Sequence, residues 1–299
     1  MKKLFLCVGA AKTGTTWLYR NLERNPGLWF TPEKELNYFF TRHGWFDRLT
    51  RELRDNRARR VMEKVEARGA DPAETATAAD WCARYHADPI DAVWYRSLFD
   101  GMPEDRWAAD FSPSTSLIPS GWDDVASFAT ELRIVYLMRE PQERLWSHAK
   151  FHAQFTGVLD RFRTMSLQEI ERFVDKSQLL FDGRYGTNLR RMLAHIPREH
   201  ILLIDNARVR THPVDVLREV ETFVGLPETP IDDASVNQPI NLSERLPMPD
   251  GFGDVWRQEF RDELAMLTAE GVAFADDWAA LHARLPYRRR SVLARLFGR

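Results

Sequence analysis

Apolar residues recur along this chain at two periods, and the two alternate. Leu4, Phe5, Leu6, Cys7 and Val8 form a short unbroken apolar run, the pattern of a strand buried on both faces, and residues 4–9 read as that strand. Residues 134–138 form a second run rich in β-formers, so 133–138 reads as a central parallel strand, with further strands at 107–110 and 201–205. Elsewhere the spacing lengthens to that of a helix. Residues 15–25 read as a helix stopped by Pro26 and Gly27. A charged stretch over 45–69 reads as a surface helix, and 70–79 as a polar linker into another helix. Val214, Leu217, Val220 and Val224 keep helical spacing over 213–224, with Gly225 placed as a C-cap. Residues 257–271 read as one more helix, leading to Trp278. Strands alternating with helices predict an α/β fold, a single domain with a central, mainly parallel sheet flanked by helices.

Composition narrows the picture. A chain of 299 residues with 44% hydrophobic content has ample material for a packed core. Net charge is −2, so the chain as a whole attracts neither nucleic acid nor an anionic membrane, and an anionic ligand must be held by local positive charge. Two cysteines, Cys7 and Cys82, fit a reducing compartment and no disulfide framework, and Cys7 reads as a small core residue. The apolar opening resembles a signal peptide, but it meets Lys12 without a cleavage site, and the bulky Leu6 before Cys7 argues against a lipid-attachment box. The reading is a cytoplasmic chain, since no stretch approaches the roughly 20 apolar residues that span a bilayer. His148 and His152 can share a helix face, yet no third ligand accompanies them and no metal is expected. The last residues differ from the rest. From Arg284 to the end, arginines at 288, 289, 290, 295 and 299 alternate with Tyr287, Val292, Leu293, Leu296 and Phe297. This basic tail, 284–299, reads as a solvated or docked terminal helix, with peripheral contact to an anionic membrane as the alternative.

Two segments carry chemistry. The first strand feeds a small-residue turn containing Lys12, Thr13 and Gly14, and a helix beginning near Thr15. Backbone N–H groups converge at such a turn, the helix dipole favours an anion, and the lysine adds a full positive charge. Nucleotide triphosphatases place lysine after the second glycine of their loop, whereas here Lys12 precedes Gly14. In the second segment Arg139 falls at the C-terminal end of the 133–138 strand, Pro141 opens the next helix, and Ser147 lies about two turns along it. A guanidinium fork and a hydroxyl converging from strand end and helix suit a phosphate monoester.

The order Lys12, Thr13, Gly14, Thr15, Thr16, Trp17 resembles the 5′-phosphosulfate loop of sulfotransferases, which move a sulfuryl group from 3′-phosphoadenosine 5′-phosphosulfate (PAPS) to an acceptor hydroxyl or amine. The spacing of Arg139 and Ser147 resembles the 3′-phosphate element of the same family. Lys34, Glu35, Tyr38, Phe39 and Phe40 lie in a segment similar to the Lys-Glu-x-x-[Phe/Tyr]-Phe element of the enzymes acting on heparan sulfate and related glycans, in which a glutamate is the general base. Glu35 is the matching position, ahead of an aromatic strand or turn. The resemblance implies that Lys12 and Glu35 are catalytic and that Lys12, Thr13, Gly14, Thr15, Thr16, Trp17, Arg139 and Ser147 hold the donor. It implies PAPS as donor, 3′-phosphoadenosine 5′-phosphate (PAP) as product and no metal, with a saccharide or another small or lipid-linked hydroxyl compound as acceptor.

The likeness runs to about Trp278, so 1–283 is expected to form the sulfotransferase domain. Phe111 stands where the glycan enzymes often carry a lysine, and Thr115 replaces an aromatic; Asp110 and Ser112 remain as site candidates. Residues 182–193 resemble the family's Gly-x-Tyr helix, which implies that Tyr185 lies near nucleotide or acceptor. Residues 237–245 occupy the place of the loop that closes over the 3′-phosphate and adenine, without its Lys-Gly-Arg signature, and Arg245 is a donor-binding candidate by position. Two other readings stay open. One is an Mg²⁺-dependent kinase-type phosphotransferase, for which Asp205 or Asp110 would bind the metal, and the other is a non-catalytic nucleotide-binding protein.

Overall fold

In the computed structural model, residues 1–231, 236 and 245–288 are described. Five strands form one sheet: β1 (Lys3–Gly9), β2 (Leu28–Phe30), β3 (Trp107–Asp110), β4 (Glu131–Met138) and β5 (Ile201–Asp205). Their order is β2-β3-β1-β4-β5, and every pairing is parallel. The helices are α1 (Thr15–Leu22), α2 (Tyr38–His43), α3 (Arg51–Ala67), α4 (Pro72–His86), α5 (Ala92–Ser97), α6 (Trp122–Ser127), α7 (Pro141–Phe155), α8 (Leu159–Arg163), α9 (Leu167–Lys176), α10 (Tyr185–Leu193), α11 (Asn206–Thr211) and α12 (Pro213–Val224), followed by Arg257–Ala269 and Phe274–Arg284.

The unbroken apolar runs are explained by helices on both faces of the sheet. Side chains alternate across a strand. Leu4, Leu6 and Val8 of β1 join Ile134, Tyr136 and Met138 of β4 in one core, under α2 to α6, α10 and the two last helices. Phe5 and Cys7 join Val135 and Leu137 in the other core, under α1, α11 and α12. Cys7 is fully buried. A third core holds α7 to α9 against Phe252, Trp256 and Phe260. Among the described residues no helix is long and apolar enough to cross a membrane.

Several expectations need correction. Residues 70–79 do not form a linker, because α4 already starts at Pro72. Asp71 caps it by accepting from Glu74 N–H at 2.8 Å, and proline at the first helical position removes a donor that would have had no partner. The charged helix begins at Arg51 rather than near residue 45, with Thr50 as its cap. The aromatic segment Tyr38–His43 is helix, neither strand nor turn, and α1 ends at Leu22. The short edge strand β2 carried no periodic signal at all. Most of the basic tail, residues 289–299, and residues 237–244 of the expected closing loop lie outside the described residues. The tail's first residues dock on the body: Arg288 pairs with Glu171, and its N–H donates to Asp254 O at 3.1 Å.

The last helices pack closely on α10. Thr187 N–H and Oγ1 donate to the two carboxylate oxygens of Glu263 at 2.8 and 2.7 Å. A Cβ at Gly186 would lie 2.5 Å from both Glu263 O and Met266 Cβ. Gly186→Ala is therefore expected to cost about 1–3 kcal/mol through overpacking, read as a lowered urea midpoint. An unchanged midpoint would mean that this helix pair is not packed as described.

Candidate functional site

The site lies where β1 and β4 end side by side. After β1 the chain fills the sheet toward β3 and β2, and β4 and β5 fill the other side, so the gap between β1 and β4 is the switch point at which α/β sheets bind ligands. Ala10 N–H donates to Leu137 O at 2.7 Å and holds the two strand ends together. The loop that follows is braced from within. Thr13 Oγ1 donates to Ala10 O at 2.7 Å, and Asn206, directly after β5, donates from Nδ2 to Thr13 O at 2.8 Å. Gly14 has φ +103°, and a Cβ there would lie 3.2 Å from Asn206 Nδ2, so glycine answers both the backbone and the packing. Leu18 N–H makes the first bond of α1, to Gly14 O at 3.0 Å. The N–H groups of Thr15, Thr16 and Trp17 therefore have no intrahelical acceptor. The Trp17 indole N–H donates to Val236 O at 2.9 Å, which ties α1 to the residue just before the segment expected to close the site.

Lys12 lies in this loop with its ammonium 4.1 Å from the centroid of the Phe151 ring. Burial, with Arg139 and Lys150 nearby, lowers its pKa to about 8. Arg139 follows β4 directly. Its N–H donates to Tyr185 Oη at 3.2 Å, and its guanidinium donates to Glu143 Oε2 from Nε at 3.2 Å and Nη2 at 2.9 Å. Ser147 lies one turn beyond Glu143 on α7 and is buried. Tyr185 is fully buried, so it holds Arg139 from beneath and presents no surface to a ligand.

The Lys34–Glu35 loop meets the Lys12 loop through one bond. Lys34 Nζ donates to Thr16 Oγ1 at 3.0 Å and stands 4.0 Å from the Glu35 carboxylate. Burial lowers the Lys34 pKa, and Glu35 opposes that shift. The Glu35 side chain is 41% exposed, open to an incoming group. Its backbone is fixed by Asn37, which adopts φ +55° and donates from Nδ2 to Glu35 O at 2.9 Å. Asn37 N–H donates to Ser112 Oγ at 2.9 Å, and Ser112 Oγ donates to Asp110 Oδ1 at 2.5 Å. Tyr95 Oη reaches the other Asp110 oxygen at 3.0 Å. Asp110 and Ser112 are thus struts under the loop. Burial raises the Asp110 pKa to about 6, against the hydrogen bonds from Ser112, Tyr95 and the Leu36 backbone. Phe111 points into the second core against Phe5, Tyr19 and Phe30.

Other expected residues fall elsewhere. Asp205 caps α11, accepting from Ala207 N–H at 2.9 Å. Arg245 is exposed, and no contact among the described residues brings it to Lys12 or Arg139. Sequence reasoning passed over Asn206, Asn37, Glu143 and Lys150, and it read His148 without its partners. Asn206 was findable, because it directly follows a strand's C-terminal end. His148 accepts from Arg144 Nη1 at 3.1 Å and faces Asp182 at 3.7 Å. Burial drives its pKa to about 4 despite Asp182, so it is neutral at pH 7. Beyond Asp182 opens a cleft of about 320 Å³, lined by Trp45, Leu117, Phe181, Arg184, Asn188 and Arg191 among others.

A family model described as "Sulfotransferase family" matches residues 5–230. The chain is 25% identical over 152 residues to the bifunctional heparan sulfate N-deacetylase/N-sulfotransferase 1 of Caenorhabditis briggsae, covering 46% of this chain and 17% of that protein. It is 24% identical over 175 residues to the heparan sulfate glucosamine 3-O-sulfotransferase 3A1 of Mus musculus, covering 56% of this chain and 41% of that one. The chain thus spans less than half the length of the curated relatives it matches. Among solved structures, a sulfotransferase from Alicyclobacillus acidocaldarius superposes with a TM-score of 0.61 over 90% of this chain and 96% of that one, at 21% identity, a likeness of fold.

The buried strut has a pH signature. A carboxyl whose folded pKa is about 6, against an ordinary 3.8, binds more protons folded than unfolded between those values. Asp110 therefore removes stability as pH rises from about 4 to 6 and nothing further above that window. Urea midpoints measured across the window should show wild type losing ground relative to Asp110→Asn. Parallel curves would contradict a buried Asp110 of raised pKa.

Proposed function

The chain belongs to the sulfotransferase family, and we propose that it transfers a sulfuryl group from PAPS to an acceptor hydroxyl on a saccharide or another small or lipid-linked metabolite. The observation that carries this reading is the juxtaposition of the Lys12 loop and Arg139 on neighbouring strand ends. A 3′,5′-bisphosphorylated nucleoside needs two anion sites. Here one is built of backbone N–H groups, Lys12 and the Thr15 and Thr16 hydroxyls, and the other of Arg139 and Ser147. The donor set fits that need.

PAPS supplies an activated sulfur whose bond to the bridging phosphate oxygen breaks as the acceptor oxygen bonds to it, releasing PAP. Lys12 meets the charge that develops on the bridging oxygen. Glu35 takes the acceptor proton, since its carboxylate is accessible and its backbone is pinned by Asn37 and Arg57. Lys34 sets the distance between the two loops by holding Thr16 and flanking Glu35. Glu143 occupies Arg139 in the free protein, so an entering 3′-phosphate has to compete with a carboxylate for the same guanidinium. The remote part of the acceptor is assigned to the cleft lined by Trp45, Phe181 and Arg191, whose aromatic faces and guanidinium suit a polar ring. With Phe111 committed to the core, no lysine at that position anchors a densely sulfated chain.

Turnover of PAPS with a panel of monosaccharide glycosides and aryl alcohols tests the roles. Glu35→Gln is expected to lose about 100-fold or more in kcat while PAP affinity stays within about twofold. Undiminished turnover would remove Glu35 as the base. Affinity for PAP should also depend on pH in a defined way. The anion favours protonated Lys12, whose pKa in the free protein is about 8. Binding should be level between pH 7 and 8 and weaken by up to about tenfold per unit above it, with the break gone in Lys12→Ala. The same break in that variant would assign the titration to another group.

A further inference from the structure

The start of α7 is capped by Glu140, and that cap is in turn held by residues outside the 5–230 region matched by the family. Glu140, directly after Arg139, caps α7: its Oε1 accepts from Gln142 N–H at 3.0 Å and its Oε2 from Glu143 N–H at 2.8 Å. The same carboxylate is hydrogen-bonded by His282 Nε2 of the Phe274–Arg284 helix. His282 is fully buried, with its ring edge-on to Phe260. Its other nitrogen, Nδ1, accepts from Arg257 Nη1 at 2.7 Å. An arginine can only donate, so Nδ1 carries the lone pair, Nε2 carries the hydrogen, and that hydrogen points at Glu140. Arg257, itself 1% exposed, is anchored in turn by Asp254 Oδ1 at 3.0 Å and Pro286 O at 3.3 Å.

We propose that His282 is a positioning residue for the second anion site: relayed through Glu140, it sets where α7 begins and hence where Arg139 and Ser147 stand. The inference rests on the PAPS reading above and extends it to the C-terminal helices. Arg139 is joined to Glu140 by a peptide bond, and Ser147 rides on the helix that Glu140 caps. Glu143, which holds the Arg139 guanidinium in the free protein, rides on the same helix, so its placement also sets where that guanidinium is held. Burial alone would raise the Glu140 pKa, but the hydrogen bonds from His282, Gln142 and Glu143 overcome this and hold it below the ordinary carboxylate value. The carboxylate is therefore charged and directional, which suits a strut. Without His282, Glu140 keeps its two backbone partners and Arg257 keeps Asp254, so the fold has other supports; what is lost is the fixed position.

The experiment is calorimetric titration of the full chain with PAP and, separately, with 5′-AMP, which lacks the 3′-phosphate. His282→Ala is expected to weaken PAP by about tenfold while 5′-AMP changes by less than about twofold. His282→Gln, whose amide can accept from Arg257 and donate to Glu140, should keep the wild-type ratio. Glu140→Asp retains a competent cap on a side chain one methylene shorter, and it should show the same selective loss as His282→Ala, which keeps the test open if the alanine variant does not fold. A PAP to 5′-AMP ratio that stays at the wild-type value in both His282→Ala and Glu140→Asp, or both ligands weakening equally, would overturn the inference and leave His282 as packing. A wild type that does not distinguish PAP from 5′-AMP would instead sink the donor reading, and the inference with it.

Discussion

Everything at this site depends on two parallel strands ending at the same height. The bond from Ala10 N–H, the residue after β1, to Leu137 O joins the C-terminal end of β1 to that of β4. From that junction one chain leaves as the Lys12 loop and the other as Arg139. Parallel pairing is what makes this possible, because it brings two C-terminal strand ends, and two helix starts, to one edge of the sheet. Both faces must then be covered, and the two cores on either side of β1 and β4 hold that edge rigid. The chemistry is an outcome of the topology.

The price of that geometry is concentrated positive charge. Lys12 is partly buried beside Arg139 and Lys150, which is why its pKa falls. In the free protein each cation has a substitute contact: Lys12 lies over Phe151, and Arg139 holds Glu143. Neither substitute matches a phosphate, which offers more oxygens and more charge than one carboxylate or one ring. The cluster is thus better satisfied with an anion than without one. The loop that carries Glu35 is built differently. Asp110, Ser112, Asn37 and Tyr95 form a buried polar chain that supports the exposed Glu35. Rigidity there serves orientation, which the proposed role of Glu35 as base requires.

Much of this was legible in the sequence where local rules act alone. β1, β4 and β5 show unbroken apolar runs, α12 has a clean helical period and ends at Gly225 in the left-handed region, and Lys12 through Thr16 is a local motif. What was not legible depends on tertiary contact. The two-residue contribution of Asn37 and Ser112 joins positions far apart in the chain, and nothing in either neighbourhood announces it. Tyr185 reads as a ligand contact by resemblance, yet it lies beneath Arg139 because α10 packs on β4. Residues 70–79 look polar because α4 buries only one face, at Ala78, Trp81, Cys82 and Tyr85, and composition outweighed the Asp71–Pro72 start signal. His282 had no local signature, and its meaning appears only opposite Glu140.

The most direct measurement is a crystal structure of the protein with PAP bound. The 5′-phosphate is expected against Lys12 and the Thr15 and Thr16 N–H groups, and the 3′-phosphate between Arg139 and Ser147, with Glu143 turned away from the guanidinium. A bisphosphate lodged elsewhere, or one that leaves Arg139 on Glu143, would contradict it.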